Sequence, residues 1–303
     1  ISISVLVFML SITYLIMSKF GSITLAETFY GAKPTAIYAA VLVQKGSEAT
    51  IKDTTIKTNA SGANAVFATG ENAVINVSNT KITTTWDSSR GLDATYGGTI
   101  TANKVTITTS GQHCAAVATD RGDGTVTVKN SILNINGKGS PCVYSTGTIS
   151  VSDSKGTATN SSLSISKKSK VYETSPMFFI TNTDAVINLE NTKLNYGSNQ
   201  LVTVSGNDGK WGNQGSNGGN LTFNAANQTL SENSAKEVNL SLDSSSKWVV
   251  TEDSYVTTLT LENNDLSLIE DNGYTIYYNA SANSWLNGQT ITLSNNGTLT
   301  PIQ

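Results

Sequence analysis

The stretch VINVSNTKITTTWDSSRGLDAT, residues 74–95, decides the fold because both of its halves recur along the chain. The first half contains an aliphatic residue, any residue, Asn or Asp, Ser or Thr, any residue, and often a second aliphatic residue. The second half ends in a small residue followed by Thr. Copies of the first pattern are Ile51–Ile56, Val77–Ile82, Val128–Leu133 and Leu189–Leu194, with weaker copies at Ile100–Val105 and Val151–Gly156.

The two patterns advance together along the chain. The last residues of successive copies of the first pattern are 26, 23, 28, 23 and 38 residues apart. The second pattern steps by 26, 24, 27 and 35 residues. Strands and turns that repeat on this period, with no helix signal between them, indicate coils stacked in a solenoid. The long last step predicts an inserted loop or an irregular coil around residues 161–177. The second pattern occurs at Ala68-Thr69, Ala94-Thr95, Ala118-Thr119, Ser145-Thr146 and Ile180-Thr181.

Asn and Asp recur at one position of the first pattern. These residues tolerate turn backbone, and their side chains can form hydrogen bonds to it. We therefore predict that they lie at a corner of the coil, where they satisfy turn backbone rather than bind a ligand. The residues are Asp53, Asn79, Asn130, Asp153 and Asn191.

Alternation within each strand predicts which side chains face outward. When the marker threonines are aligned, the residues one and three positions before each marker fill the core, and the residue two positions before it faces outward. Three of these five outward residues are aromatic, which is unusual for a position in solvent. We predict that this strip contacts a saccharide chain or a partner surface; a covering loop is the alternative. The predicted strip is Phe67, Asp93, Val117, Tyr144 and Phe179.

The chain has two cysteines and one histidine. Cys114 and Cys142 are 28 residues apart, about one coil, so we expect them in adjacent rungs at a separation that permits a disulfide. Two stacked buried thiols are the alternative. Two cysteines and one histidine cannot form a usual zinc site, and His113 has no nucleophile motif beside it. We therefore predict no metal, no cofactor and no catalytic site.

Composition narrows the class of protein and the class of partner. Only 14% of the residues are charged and 38% are hydrophobic, which is typical of β-rich, turn-rich extracellular proteins. The formal net charge is −3, and the only basic cluster along the sequence is Lys167, Lys168 and Lys170. With no basic patch to neutralise a phosphate backbone, we predict no nucleic-acid partner.

Residues 1–17 form an uncharged apolar run that ends before Lys19. This run is typical of a signal peptide or membrane anchor, which we place at residues 1–26 and leave open as cleaved or uncleaved. A buried first strand or helix is the alternative. If the segment is uncleaved, contact with a membrane would be through residues 1–20 only. We assign residues 27–303 to the solenoid, with regular coils over 33–205 and altered coils with a cap over 206–303.

The coil pattern over residues 33–205 resembles parallel β-helix surface proteins of the pectin-lyase-like superfamily, particularly adhesin-like repeat proteins of anaerobic microbes. Residues 238–261 resemble the closing coils of autotransporter passenger domains. The resemblance implies a protein that is secreted or held at the cell surface. The same superfamily contains polygalacturonases, but of their four motifs only one has a counterpart here, Asn182-Thr183-Asp184.

We therefore predict an all-β fold, a single right-handed parallel β-helix. As its function we predict an extracellular, adhesin-like, non-enzymatic protein that binds polysaccharide or a host or neighbouring cell surface. The alternative is a degenerate or active pectin-type lyase or hydrolase, which acidic residues converging from neighbouring coils would favour. A third possibility is a structural stalk.

Overall fold

The computed structural model describes residues 22–25, 38–120, 123–145, 147–158, 176–180, 184–196, 201–204, 220–231 and 238–302. In these residues the chain is an all-β parallel solenoid of about eight turns with almost no helix. The predicted parallel β-solenoid is confirmed; its right-handedness stays a prediction. Among the described residues, no helix combines the length and the apolarity that a membrane crossing requires.

Most of the described chain lies in short strands, which are joined by turns and three 3-10 helices. The 3-10 helices are Glu262–Asn264, Leu266–Leu268 and Ser284–Leu286. The strands are β1 Ser22–Leu25, β2 Tyr38–Gln44, β3 Glu48–Lys52, β4 Thr55–Thr58, β5 Ala63–Thr69, β6 Val74–Thr84, β7 Arg90–Thr95, β8 Thr99–Thr109, β9 Ala115–Thr119, β10 Thr125–Lys129, β11 Ile132–Ile135, β12 Val143–Ser145, β13 Thr148–Ser152, β14 Lys155–Ala158, β15 Phe178–Ile180, β16 Asp184–Glu190, β17 Lys193–Tyr196, β18 Val202–Val204, β19 Asn220–Ala226, β20 Thr229–Ser231, β21 Val238–Leu242, β22 Lys247–Val249, β23 Ser254–Val256, β24 Thr258–Leu261, β25 Ile269–Glu270, β26 Thr275–Asn279, β27 Ile291–Thr292 and β28 Thr298–Ile302.

Two large sheets run along the stack. The first has 14 strands in the order β1-β4-β6-β8-β10-β13-β16-β19-β21-β24, with β3, β11, β14 and β17 beside this path. The second has seven strands in the order β18-β15-β12-β9-β7-β5-β2. An early coil therefore runs through the first sheet, bends within it, and then crosses the second sheet. Among the described strands, only β27 and β28 pair antiparallel.

A bend divides each coil's path through the 14-stranded sheet. The residue at the bend has a left-handed backbone, with φ between 43° and 56°. Asn and Asp adopt this conformation more readily than other residues with a β-carbon, which explains their recurrence in the sequence. The predicted corner is confirmed. The corner column is Asp53, Asn79, Lys104, Asn130, Asp153, Asn191 and Asn227.

Corner side chains bond to one another along the stack. Asn79 Nδ2 donates to Asp53 Oδ1 at 2.7 Å, and Asn191 Nδ2 donates to Asp153 Oδ1 at 2.8 Å. Asn227 Nδ2 continues the ladder to Asn191 Oδ1 at 3.2 Å. The expected bonds from these side chains to turn backbone are therefore replaced by bonds between coils, because successive corners lie directly above one another.

The residue after the corner points into the protein and carries a hydroxyl in most coils. Ser131 Oγ donates to the Lys129 carbonyl at 2.6 Å and accepts from the Val105 N–H at 3.1 Å. Ser154 Oγ bonds in the same way to the Ser152 carbonyl and the Ser131 N–H. Each hydroxyl thus satisfies its own bend and one backbone donor of the neighbouring coil. Thr80 and Thr192 also donate to the carbonyl of their own bend, and this shared contact accounts for Ser or Thr after the Asn or Asp in the repeat.

Aliphatic columns from all coils form one continuous core. Ile56, Ile82 and Ile107 stack in register in neighbouring coils and are fully buried. Gly156 takes the same column two coils later, and a β-carbon built there would lie 2.5 Å from Met177 Cε. The weak repeat copy at Val151–Gly156 therefore lacks its aliphatic residue because Met177 fills that space.

The stack continues past residue 206 in the 14-stranded sheet but changes elsewhere. β19, β21 and β24 extend that sheet, while β20-β22-β25 and β23-β26-β28-β27 form two new sheets. Near the end, the buried Asp271 carboxylate accepts from the N–H groups of Asn295 and Gly297 at 2.9 and 2.6 Å.

At the N-terminal end of the stack, β1 pairs parallel with β4. The other residues of the predicted signal or anchor segment, 1–21 and 26, lie outside the described residues.

Removing a hydroxyl of the inner ladder should destabilise the solenoid. Ser131→Ala leaves the buried Val105 N–H without an acceptor, so we expect the free energy of unfolding to fall by about 1–3 kcal/mol. Denaturant titration measures the change. Ser78→Ala is the matched control, because Ser78 lies in the strand just before a corner and is only half-buried; we expect a change within about 0.5 kcal/mol. Equal losses in both variants would contradict the assigned role of Ser131.

Candidate functional site

The outer column of the seven-stranded sheet differs by one residue from the predicted strip. Neighbouring strands pair one outer residue with the next along the stack. The column that results is Phe67, Asp93, Ala118, Tyr144 and Phe179. Val117 instead pairs with Leu92 and Val143 and is fully buried in the core. The prediction that Val117 faces outward is therefore wrong.

The error at Val117 comes from aligning the marker threonines. Thr95 and Thr119 are 24 residues apart, whereas the paired residues Asp93 and Ala118 are 25 apart. Because neighbouring side chains in a strand point to opposite faces, this single residue turns Val117 inward. Thr119 is turned inward as well, where its hydroxyl lies 3.3 Å from that of Ser145.

Exposure varies along the outer column. Phe67 is 5% exposed and Asp93 is 1% exposed. Phe67 is buried even though it does not belong to the continuous core. The outer face is therefore not open to solvent at these two positions. Tyr144 and Phe179 are half-buried, so part of each ring remains accessible. The accessible part of the predicted strip is reduced to this pair.

Tyr144 and Phe179 form a stacked aromatic pair between neighbouring coils. Their ring centroids are 5.8 Å apart and the planes differ by 11°. On the other side, the guanidinium carbon of Arg90 lies 5.4 Å from the Tyr144 ring centroid, which is a cation–π contact. Arg90 belongs to β7 and Tyr144 to β12, so the arginine reaches across β9. The small outer side chain of Ala118 in β9 leaves room for this reach.

Arg90 is fixed in this position by two further contacts. Its Nη1 donates to the His113 carbonyl at 2.8 Å, and its Nη2 lies 3.3 Å from Asp120 Oδ1. The Arg90 and Asp120 side chains are 14% and 29% exposed. This partly buried ion pair holds the guanidinium plane against Tyr144. Among the described residues, Nε of Arg90 has no hydrogen-bond acceptor.

Asp93 is a buried carboxyl group beside this ion pair. Its Oδ2 accepts from Asn64 Nδ2 at 2.8 Å, while its Oδ1 has no hydrogen-bond donor among the described residues. Burial raises the pKa of Asp93 well above its usual range, and the negative charge of Asp120 raises it further. Arg90 lowers this pKa, but its hydrogen bonds go to His113 and Asp120, so it offsets only part of the rise.

Two acidic residues from neighbouring coils therefore do converge, as the enzyme alternative requires. A protonated carboxyl beside a carboxylate is the arrangement used for acid and base roles in hydrolysis. Asp93 is only 1% exposed, however, so a sugar could reach it only if the outer face opened. Within the described part of the chain, no three His, Cys, Asp or Glu side chains are grouped to hold a metal ion.

Cys114 and Cys142 do not form the predicted disulfide; both thiols are free and buried. The local coil length is 26 residues rather than 28, because the Cys114 N–H donates to Ser140 Oγ and the Ala116 N–H donates to the Cys142 carbonyl. Cys114 thus stacks beside Ser140. Burial raises the pKa of Cys114, and it raises that of Cys142 to about 12.

Sequence reasoning missed three members of the cluster, namely Asn64, Arg90 and Asp120. Asn64 and Arg90 are 26 residues apart, one coil length, and Asp93 and Asp120 are 27 apart. The repeat period could therefore have brought them together. They stand at strand ends, where inward and outward faces do not follow simple alternation, so their side-chain contacts could not be derived.

Comparison of the chain with protein-family models, with curated proteins and with solved structures found no match.

Asp93→Asn should remove a pH dependence of stability. The folded-state pKa of Asp93 lies above its unfolded value, so the folded state holds the proton more tightly. The stability that this group contributes is therefore lost as the pH rises from the unfolded pKa through the folded pKa. We expect the wild type to lose stability relative to the variant between pH 5 and pH 8. Asn at this position can still accept from Asn64 and needs no proton.

Denaturant titrations of both proteins at each pH test this expectation. Taking the difference between the two proteins removes the contribution of titrating groups that lie far from Asp93. A difference in unfolding free energy that stays constant from pH 5 to pH 8 would show that Asp93 does not take up a proton on folding.

Proposed function

We propose that the chain is an extracellular, adhesin-like protein with a right-handed coil, which binds polysaccharide or a host or neighbouring cell surface. The observation that carries this proposal is the row formed by Arg90, Tyr144 and Phe179 on the outer face of the seven-stranded sheet. The resemblance to adhesin-like proteins of the pectin-lyase-like superfamily supports the same class of function.

The chemistry of the row suits a saccharide. Aromatic rings offer apolar surface to the C–H faces of sugars. The two rings come from strands that are rigidly paired, so they need no ordering when a ligand binds. A chain of sugars running along the stack would meet the Tyr144 and Phe179 rings in two successive coils.

A second candidate function is a pectin-type polysaccharide lyase or hydrolase. The observation in its favour is the convergence of Asp93 and Asp120 beside Arg90 and Tyr144. The burial of Asp93 weighs against it, because general acid catalysis needs the acid within hydrogen-bond reach of the leaving group. We therefore rank binding above cleavage. A structural stalk is the remaining possibility and needs neither feature.

Replacing both rings by leucine should weaken carbohydrate binding while preserving the packing. For Tyr144→Leu/Phe179→Leu we expect affinity on a glycan array to fall about tenfold, since aromatic contacts contribute about 0.5–1.5 kcal/mol each beyond their buried area. The matched control is Tyr255→Leu/Tyr277→Leu, which removes a second stacked pair, 4.8 Å between centroids, in the last coils. Thermal unfolding confirms that both variants fold.

The control for cleavage is a reducing-end assay on pectic substrates with the wild-type protein. Binding that is lost in the Tyr144/Phe179 variant and kept in the control, without cleavage, supports the proposal. Cleavage that disappears in an Asp120→Asn variant would favour the enzyme. If the wild type neither binds nor cleaves any saccharide tested, the stalk is favoured.

A further inference from the structure

The bend in the 14-stranded sheet carries an exposed row of lysines. Each of the first six coils contributes at least one lysine. Most of these lysines are at the corner or within two residues of it, and Lys57 is at the outward position four residues after the corner. We call this surface the lysine face. Its lysines are Lys52, Lys57, Lys81, Lys104, Lys129, Lys155 and Lys193, and all seven are exposed.

Charge is segregated between faces of the solenoid. Of the lysines in the described part of residues 51–196, only Lys138 lies away from the lysine face. Acidic residues such as Glu71, Asp87 and Asp123 lie instead in the turns before and after the seven-stranded sheet. The lysine face itself contains three acidic residues, Asp53, Asp153 and Glu190, so its formal charge is 7 − 3 = +4 in a chain of net charge −3.

Lysines of this face are not neutralised by ion pairs within the described residues. The salt bridges found there join Lys45 to Glu71, Arg90 to Asp120 and Lys247 to Glu270. Two of the acidic groups on the face, Asp53 and Asp153, accept hydrogen bonds from asparagines of the corner column. The positive charge of the face is therefore available to a partner.

One pair of lysines is placed in a way that folding alone does not favour. Lys155 and Lys193 are directly opposite each other in the paired strands β14 and β17. Like charges at directly opposed positions destabilise a sheet. Thr occupies the same column at positions 55 and 106, so a neutral residue fits there. A polyanion bound on the face would attract both lysines and so offset the repulsion between them.

We propose that the lysine face binds an anionic polysaccharide that lies across the coils, parallel to the axis of the stack. Neighbouring coils are about 4.8 Å apart, so six coils present positive charge over about 24 Å. Lysine offers single point charges rather than the planar forks with which arginine grips phosphate. Among the described side chains of the face there is no aromatic ring on which a base could stack, which favours a saccharide over single-stranded nucleic acid.

This inference goes beyond the proposed function and does not rest on it. The Tyr144–Phe179 pair lies on the seven-stranded sheet, whereas the lysine face lies on the 14-stranded sheet, and the ligand is defined by charge rather than by stacking. The expectation that the chain has no basic patch was wrong for a physical reason. The lysines are dispersed along the sequence, and only the repeat brings them into columns.

The test compares two variants of the full chain that change net charge equally, from −3 to −6. Lys81→Gln/Lys155→Gln/Lys193→Gln removes one column of the lysine face, and Lys45→Gln/Lys138→Gln/Lys247→Gln removes three exposed lysines elsewhere. At low ionic strength we expect the dissociation constant for alginate to rise about tenfold in the first variant and by less than about twofold in the second. Dextran, which is uncharged, should bind neither variant differently from the wild type.

Three results would overturn the proposal. They are absence of alginate binding to the wild type, an equal loss in the two variants, and single-stranded DNA binding as tightly as alginate with the same dependence on the lysine face. A Tyr144→Leu/Phe179→Leu protein separates the two sites. It should bind alginate as the wild type does if the lysine face is the site, whatever its effect on neutral glycans.

Discussion

The stacked bend in the 14-stranded sheet is the constraint on which the rest of the structure depends. At each bend a corner residue adopts a left-handed backbone. At most bends its side chain bonds to the corner of a neighbouring coil. The hydroxyls of Ser131 and Ser154, which follow two of the corners, accept from an N–H of the neighbouring coil. These contacts fix where each coil begins to turn. Since strands on both sides follow from that point, the bend determines which residues enter the core and which form the outer columns.

Features that recur in every coil could be predicted from the sequence, because a pattern repeated several times averages out local irregularity. The parallel solenoid and the corner at Asn79, Asn130 and Asn191 belong to this class. The inserted length before Asn191 was also visible, as a step of 38 residues. What could not be derived was register between single coils. A register error of one residue placed Val117 on the outer face. A register error of two residues placed Cys114 beside Cys142 instead of Ser140.

Side-chain chemistry at the outer face depends on such local register and on contacts across several coils. Arg90 touches Tyr144 two strands away because Ala118 lies between them, and Asp93 is buried beside Asp120 because of the 25-residue step from Asp93 to Ala118. The lysine face has the opposite origin. It requires only the coil period and no exact side-chain contact. Its lysines are far apart in the sequence, so a search for clusters of neighbouring charged residues does not find them.

The register on which both proposed surfaces depend can be measured by engineered disulfides between outward positions. Thr101 in β8 and Thr127 in β10 are directly paired, so cysteines at these positions should oxidise rapidly, since neighbouring strands place their Cα atoms about 4.8 Å apart. Cysteines at Thr101 and Thr125, two residues out of register, should oxidise much more slowly. Rapid closure of the second pair and not of the first would contradict the stacking described here, and with it the composition of both outer surfaces.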